Sequence, residues 1–282
     1  MNNALAAFPA VDLDEVLARS PLQLRLDRKC LVPASLLPRL LEAMADAYAA
    51  LEIDGLRTFR YTSTYFDTPE LHTYRQHLQD RRRRFKIRTR TYLDSGECTF
   101  EVKLSGTREA TDRRRMPYDP ANRTELTPSA TDFLWQTLLS AHRMNPPSPL
   151  TPTATTSYNR TTLVQRHGTG RVTLDTALVC TAEATSIEGN QAWALLESKS
   201  TNPDAPADRL LRHLGLRPAK FSKYCLAIAA LYPGTRSNPW RRTLRHCFTP
   251  TRPPTPERDS HGFDYDAERA RRRSSIGRAS VL

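Results

Sequence analysis

Residues 84–103, RFKIRTRTYLDSGECTFEVK, decide the fold. In the first half Lys86, Arg88 and Arg90 occupy alternate positions, and the residues between them are apolar or threonine. The second half alternates in the same way around Glu101. Because Asp-Ser-Gly-Glu between the two halves favours a turn, the stretch is predicted to be a β-hairpin with one apolar and one charged face.

The charged face of this hairpin carries an unusual density of cations. Three follow one another on the first strand, and Lys103 adds a fourth on the second. Solvated charges on an ordinary edge strand are the simpler interpretation, but like charges at these spacings repel, and a bound polyanion relieves that repulsion. The face is therefore predicted to be an anion-binding surface.

Composition limits the class of protein. The chain has 282 residues, of which 39% are hydrophobic and 26% charged, and a net charge of +12 that favours anionic partners. It contains no run of about 18 apolar residues, so no transmembrane helix is expected, and the amino end lacks the features of a secretory signal. The five cysteines are far apart and never spaced Cys-x-x-Cys, which indicates a reducing, cytoplasmic compartment and neither a disulfide framework nor a zinc site.

The rest of the chain alternates between strand and helix patterns. Strands with a charged face are predicted at 22–32, 57–66, 114–118, 157–165, 171–180 and 192–200. Helices with an apolar stripe are predicted at 35–51 behind a Ser35 cap, from Thr68 to Gln79, and at 127–143, 204–214 and 222–231, with a proline-rich connector at 145–156. Residues 1–21 form a lead-in, 22–232 the folded domain, and 233–282 an Arg/Pro/Ser-rich tail that is expected to be disordered.

Strands with a charged face and helices with an apolar stripe predict an α+β fold in which an antiparallel barrel has a polar lumen and helices cover its outer wall. The polar positions of the strands, together with the run that starts the last helix, are Lys29, Arg88, Arg90, Lys103, Arg115, Arg160, Arg171, Lys199, Lys220 and Lys223, with the acids Glu101, Asp175 and Glu197. A dry, empty lumen of this kind would cost on the order of tens of kcal/mol in desolvation. Phosphate chains would fill it, because arginine forks match phosphate oxygens and lysines neutralise them.

The chemistry that this lumen favours is phosphoryl transfer by positioning and charge. The sparse carboxylates, Glu101 among them, are candidate ligands of a divalent metal that bridges neighbouring phosphates. The sequence offers no Ser/His/Asp or Cys/His nucleophile pair and no glycine-rich phosphate loop.

The order of these motifs resembles the VTC domain, the polyphosphate polymerase module of the vacuolar transporter chaperone complex, within the triphosphate tunnel metalloenzymes. The motifs are RKCLV (28–32), YFDT (65–68), KIRTRTY (86–92), FEVK (100–103), YNRT (158–161), RVTLDT (171–176), LESK (196–199) and KFSKY (220–224). The resemblance implies an eight-stranded antiparallel tunnel flanked by helices. It also implies transfer of the γ-phosphoryl group of ATP to a growing polyphosphate chain with Mn²⁺ or Mg²⁺.

The resemblance also implies roles for individual residues. Phosphates would be held by Lys29, Arg88, Arg90, Lys103, Arg160, Arg171, Lys220 and Lys223. Tyr158 and Ser222 would add hydrogen bonds, and Glu197 would bind the metal. Hydrolases and cyclases of the superfamily carry Glu-x-Glu-x-Lys on an early strand; here Thr99 replaces the first glutamate, which favours the polymerase branch.

Three alternatives stay open from the sequence. The same scaffold could hydrolyse triphosphate or polyphosphate, or it could bind these anions without turnover. Nucleic-acid binding rests on charge alone, because the chain has no helix-turn-helix, zinc-finger or RNP-type aromatic pattern. Members of the family often act beside membrane channels, which leaves open a membrane partner protein and a place at the inner face of a membrane.

Overall fold

The computed structural model describes residues 2–19, 26–105, 111–202 and 204–248. The strands are β1 (Ala10–Val11), β2 (Leu26–Pro33), β3 (Tyr48–Leu51), β4 (Phe59–Asp67), β5 (Phe85–Tyr92), β6 (Cys98–Ser105), β7 (Thr111–Tyr118), β8 (Thr151–Gln165), β9 (Arg171–Ala182), β10 (Thr185–Glu188) and β11 (Trp193–Ser200). The helices are α1 (Asn2–Ala6), α2 (Leu13–Arg19), α3 (Leu37–Glu42), α4 (His72–Leu78), α5 (Pro128–His142), α6 (Pro206–His213), α7 (Lys223–Leu231) and α8 (Arg241–Cys247). None of the helices in these ranges is long and apolar enough to cross a membrane.

Eight of the strands form one continuous antiparallel path, which confirms the predicted α+β class. The order of the path is β2-β11-β9-β8-β4-β5-β6-β7. Within the described residues, no backbone ladder joins β2 to β7 at the two ends of the path, so hydrogen bonding does not close the sheet. The short strands β1, β3 and β10 attach at the sides.

The hairpin of residues 84–103 forms as its alternating pattern predicts. β5 and β6 pair so that Arg88 lies opposite Glu101 and Lys86 lies opposite Lys103. Directly paired residues share a face of the sheet. The hairpin therefore presents its charged residues on one side, while Ile87 and other apolar residues are buried on the other side.

Helices cover the convex face of the sheet. Leu40 of α3 and Leu211 of α6 pack in one core with apolar residues of β2, β9 and β11. Leu134 and Leu138 of α5 pack in a second core against β5, β6 and β7. Thr127 caps α5 by accepting a hydrogen bond from the backbone N–H of Ala130, as its sequence predicts.

Helix α7 packs against one end of the concave face, and the carboxylate of Asp67 links it to α4. Asp67 is fully buried at the end of β4 and accepts hydrogen bonds from the backbone N–H groups of Thr73 and Tyr74 at 2.8 and 3.0 Å. The hydroxyl group of Tyr224 on α7 donates to the same carboxylate. Because one buried acid serves both helices, it holds the first turn of α7 in a defined place.

The predicted helix at 35–51 is wrong in its second half. Helix α3 ends at Glu42, and β3 pairs with β8 at the edge of the sheet. All four residues of β3 are buried, so tertiary pairing overrides an apolar spacing that also suits a helix. Ser35 does not cap α3, because Leu36 holds the N-cap position and makes no side-chain cap bond.

Two other boundaries differ from the prediction. Strand β8 begins at Thr151, inside the segment that the sequence predicts to be a connector. Residues 238–248, predicted to belong to a disordered tail that starts at 233, form a 3-10 turn and α8. Trp240 and Phe248 are buried in the core that also contains α7, so ordered packing extends past the predicted boundary. Residues 249–282, the rest of that predicted tail, lie outside the described residues.

Candidate functional site

The strand register collects the predicted cations on the concave face. Glu197 pairs with Lys29 on one side and with Thr173 on the other, and Asp175 pairs with Arg160. The same ladder continues through β4 to β5 and β6. The buried or half-buried cations on this face are Lys29, Lys86, Arg88, Arg90, Lys103, Arg113, Arg160, Arg171 and Lys199, and Lys223 joins them from α7.

Charges from distant strands converge across this face. Glu197 lies on β11 and Lys103 on β6, and four strands separate β11 from β6 in the path. Burial alone would raise the pKa of Glu197, but Lys199, Lys29, Lys103 and Arg160 together hold it well below its usual range. The concave face is therefore a shared charged cavity, the arrangement on which the sequence prediction depends.

Arg88 and Glu101 form the most buried ion pair of the site. Oε2 of Glu101 accepts from Nε of Arg88 at 2.8 Å and from Nη2 at 2.5 Å. Nη1 of Arg113 lies 3.8 Å from Oε1 of the same carboxylate. Burial would raise the pKa of Glu101, but Arg88, Arg90 and Arg113 depress it far below its ordinary value, so the group stays ionised.

A second pair orients cations on β8 and α7. Arg160 binds Asp175 through two nitrogen–oxygen contacts of 2.6 and 2.8 Å, and the ammonium group of Lys223 donates to the same carboxylate. The ring of Tyr158 lies beside both cations, with its centroid 4.3 Å from Nζ of Lys223 and 5.2 Å from the guanidinium carbon of Arg160. Burial would raise the pKa of Asp175, but the two cations lower it to about 2.

Arg90 is a buried cation without a carboxylate partner. Only 6% of the residue is exposed, and it donates to the hydroxyl of Tyr158 at 3.0 Å and to that of Ser63 at 3.4 Å. No described acid lies within ion-pair distance of its guanidinium group. Burial and Arg88 oppose its charge, yet the pKa of Arg90 is raised, with Tyr158 and Glu101 acting in its favour; an anion that enters the cavity would add a direct counter-charge to this partial compensation.

The lysines around Glu197 share one carboxylate. Oε1 of Glu197 lies 3.2 Å from Nζ of Lys29 and 3.5 Å from Nζ of Lys199. Burial lowers the pKa of Lys199 to about 7 and that of Lys103 to about 8, although Glu197 acts in the opposite direction on both. Glu197 and Asp27 together do not offset the burial of Lys199 and Lys103, so the cavity has capacity for added negative charge.

The structure places two predicted residues, Arg115 and Lys220, on the exposed surface, and it gives two others, Ser222 and Arg171, a defined neighbour. Arg115 pairs with Glu101 in the ladder but is exposed, and the half-buried Arg113 provides the arginine of β7 in its place. Lys220 is exposed. Ser222 accepts a hydrogen bond from the backbone N–H of Cys225 as the N-cap of α7, and Arg171 lies opposite Lys199 in the ladder.

Lys86 belongs to the face that the sequence predicts to bind anions, but neither Lys86 nor Arg113 is among the predicted site residues, and the structure places both in the cavity. Arg113 and Lys86 both lie on the concave face, opposite Lys103 on either side. The sequence did carry a signal for both residues: Lys86 and Arg113 each stand two positions from another cation, as residues on one face of a strand do. A second signal is the rarity of lysine, because the chain has six lysines among 42 basic residues.

The carboxylates fit a divalent metal that brings most of its ligands with the substrate. No group of three potential ligands from His, Cys, Asp and Glu occurs in the described part of the chain. Oε1 of Glu197 is buried and forms ion pairs with Lys29 and Lys199. Oε1 of Glu101 is likewise buried, with Nη1 of Arg113 3.8 Å away. Mg²⁺ commonly uses one or two protein carboxylates together with substrate phosphates and water, and Glu197 suits that coordination.

Comparisons with known proteins place this geometry in a family. No curated protein matches the sequence. Several solved structures are similar to this chain. One is HpAC1 from Hippeastrum, an adenylyl cyclase candidate with a dominant triphosphatase activity; it shows 14% identity over 74% of this chain and 98% of that chain, with a TM-score of 0.46. An adenylate cyclase candidate from Bacillus halodurans shows 13% identity over 71% of this chain and 94% of that chain, with a TM-score of 0.42. Pct1 RNA triphosphatase from S. pombe shows 13% identity over 69% of this chain and 77% of that chain, with a TM-score of 0.29.

These values are too low to support a conclusion about the activity of this chain. The family model described as the VTC domain matches residues 24–232, which is most of the sequence. That range includes the ten cations of the concave face and the three carboxylates that lie among them. The protein belongs to the VTC domain family.

Proposed function

We propose that this protein is a metal-dependent polyphosphate polymerase that transfers the γ-phosphoryl group of ATP to a growing polyphosphate chain inside the cationic cavity. The observation that carries the proposal is the buried guanidinium of Arg90, which has no acidic partner among the described residues. Membership of the VTC family supports phosphate-chain chemistry over other uses of a cationic cavity.

Arginines, lysines and the aspartate of the cavity have different roles in the proposed reaction. Arg88, Arg90 and Arg160 bind phosphate oxygens, because planar guanidinium groups match them in two contacts. Lys29 and Lys103 neutralise the charge that such a chain carries. Asp175 acts through Arg160 and Lys223, since it orients both cations toward the cavity.

The reaction exchanges one phosphoanhydride bond for another. The bond between the γ-phosphorus and the β–γ bridging oxygen breaks, a bond forms between the γ-phosphorus and the terminal oxygen of the polyphosphate chain, and ADP leaves with the electron pair. A divalent metal held by Glu197 would neutralise the negative charge of the reacting phosphates. Positioning and charge suffice for this transfer, which needs no nucleophilic side chain.

The test is incubation of the full chain with ATP and Mn²⁺ or Mg²⁺, followed by gel electrophoresis. Long chains that an exopolyphosphatase degrades support the proposal. Release of free phosphate alone would assign a hydrolase, and binding without turnover would assign a sensor.

A charge-matched pair of variants tests the site itself. Arg90→Gln should reduce chain synthesis by 100-fold or more, on the order of one lost charge-assisted contact in the transition state. Arg114→Gln removes the same charge from the opposite face of the sheet, where Arg114 contacts Asp112 and Ser140, and should synthesise normally. Equal rates in both variants would contradict the assignment of the cavity.

A further inference from the structure

Lysine is confined to one region of this molecule. The chain has six lysines, and every other basic residue is an arginine. Five lysines lie on the concave face or at the start of α7 beside it, and Lys220 lies just before α7. Lys86 lies on the concave face and has no role in the proposed reaction.

Lys86 lies opposite another cation. Its Cα partner on β6 is Lys103, so the two side chains project from the same face at directly paired positions. Like charges in this arrangement destabilise a sheet. Asp67 at the end of neighbouring β4 does not relieve the repulsion, because α4 and Tyr224 use its carboxylate.

The nearest polar contact of Lys86 brings no negative charge. Nε2 of His77 lies 3.1 Å from the carbonyl oxygen of Phe85, which can only accept, so Nε2 is the donor and Nδ1 carries the lone pair. Nζ of Lys86 lies 3.5 Å from that Nδ1. Burial and the neighbouring cations Lys86 and Arg84 lower the pKa of His77 to about 2, so the ring is neutral.

The surroundings of Lys86 are electropositive. Burial lowers its pKa to about 7, and Lys103, Lys29 and Arg84 act in the same direction. No described carboxylate lies within ion-pair distance of its ammonium group. Cys225 in the first turn of α7 acts on the pKa of Lys86 in the opposite direction, and this interaction places the start of that helix beside Lys86.

We propose that Lys86 and Lys103 form a phosphate subsite next to α4 and α7, separate from the phosphates held by Arg88 and Arg90, and that its ligand is a further unit of a linear polyphosphate chain. The inference rests on the proposed function. Lys86 and Arg90 are four positions apart on β5, about 13 Å along the backbone, so a longer chain held at Arg90 has additional phosphate units that can reach Lys86. The subsite therefore selects for chain length.

The test is calorimetric titration of the full chain with tripolyphosphate and with a longer linear polyphosphate, in buffer that contains a chelator and no divalent metal. The wild type should bind the longer chain more tightly. Lys86→Gln should lose about tenfold or more of its affinity for the longer chain, the size of one charge-assisted hydrogen bond, and should keep its affinity for tripolyphosphate. Lys86→Arg should retain the preference, and Arg39→Gln on the exposed surface of α3 should behave as the wild type.

Lysine labelling gives a second measurement on the wild-type protein. At pH 7.5 an amine-acylating reagent should modify Lys86, and mass spectrometry should show protection by the longer chain but not by tripolyphosphate. If Lys86→Gln keeps the full preference for longer chains, or if both anions protect Lys86 equally, the subsite is refuted while the proposed function stands. If the wild type binds neither anion, both proposals fail.

Discussion

Glu101→Gln removes the carboxylate that contacts Arg88, the only one to do so among the described residues, and the structure allows the cost of that loss to be estimated. Glu101 is fully buried, and the side chain of Arg88 is 14% exposed, so solvent screens little of the pair. Loss of one partner of a buried ion pair costs about 3–5 kcal/mol, because the other charge is left uncompensated. Arg113 adds to this cost, since its guanidinium also lies near the same carboxylate.

The assay is urea unfolding of the full chain at pH 7, followed by circular dichroism. The free energy of unfolding should fall by about 3–5 kcal/mol in Glu101→Gln. Glu70→Gln changes an exposed acid and should stay within about 0.5 kcal/mol of the wild type. Tripolyphosphate should stabilise Glu101→Gln more than the wild type, because the added anion replaces the missing counter-charge.

The pH dependence has a defined sign. The folded-state pKa of Glu101 is depressed far below its ordinary value near 4.5, so the carboxylate contributes its full stabilisation above that value. The contribution of Glu101 to the free energy of unfolding should decline as the pH falls through the depressed folded-state pKa. The difference in free energy of unfolding between the wild type and Glu101→Gln should become smaller in that pH range. A loss below about 1 kcal/mol at pH 7, or equal stabilisation of both proteins by tripolyphosphate, would refute the counter-charge role of Glu101.

Three further predictions concern the metal, the carboxyl-terminal helix and protons. Glu197→Gln should abolish metal-dependent turnover while binding of tripolyphosphate without metal persists; an unchanged rate would remove Glu197 from the metal site. Trp240→Ala should lower the free energy of unfolding by about 3–5 kcal/mol, because the residue is 5% exposed; a loss below about 1 kcal/mol would contradict its packing role. Deletion of residues 250–282 should leave turnover unchanged, and a loss of turnover would give that segment a role in the reaction. Binding of a phosphate chain at pH 8 should be accompanied by proton uptake, because an anion raises the lowered pKa of Lys199, about 7, and that of Lys103, about 8. Calorimetry in two buffers of different ionisation enthalpy measures this uptake. The uptake should disappear below about pH 6, where both lysines are already protonated.

The hairpin and the identity of most cavity residues follow from local pattern. Arg88, Arg90 and Lys103 fall on one face whatever surrounds them, because side chains alternate along a strand. The helix at Pro128–His142 is equally local, since a capping threonine, a first-turn proline and an apolar stripe agree.

The misassigned segments depend on distant partners. Tyr48–Leu51 has an apolar spacing that suits either a helix or a buried strand, and only pairing with β8 decides between them. The helix at Arg241–Cys247 has few apolar residues of its own. Trp240, directly before it, packs against Tyr74, and the two ring centroids lie 5.5 Å apart. No local sequence pattern predicts this contact, because Tyr74 is distant from Trp240 in the sequence.

The amino-acid sequence by itself determined which side chains project together from each strand, because alternation is a property of a single extended chain. It also determined the excess of cations on those faces. Only the tertiary structure decided that Glu197 and Lys103, from strands far apart in the sheet, share one cavity, and that Arg113 is half-buried in it while Arg115 is exposed. The physical reason is that curvature of the sheet and the position of α7 depend on packing between segments distant in sequence, and these set which charges meet and which face water.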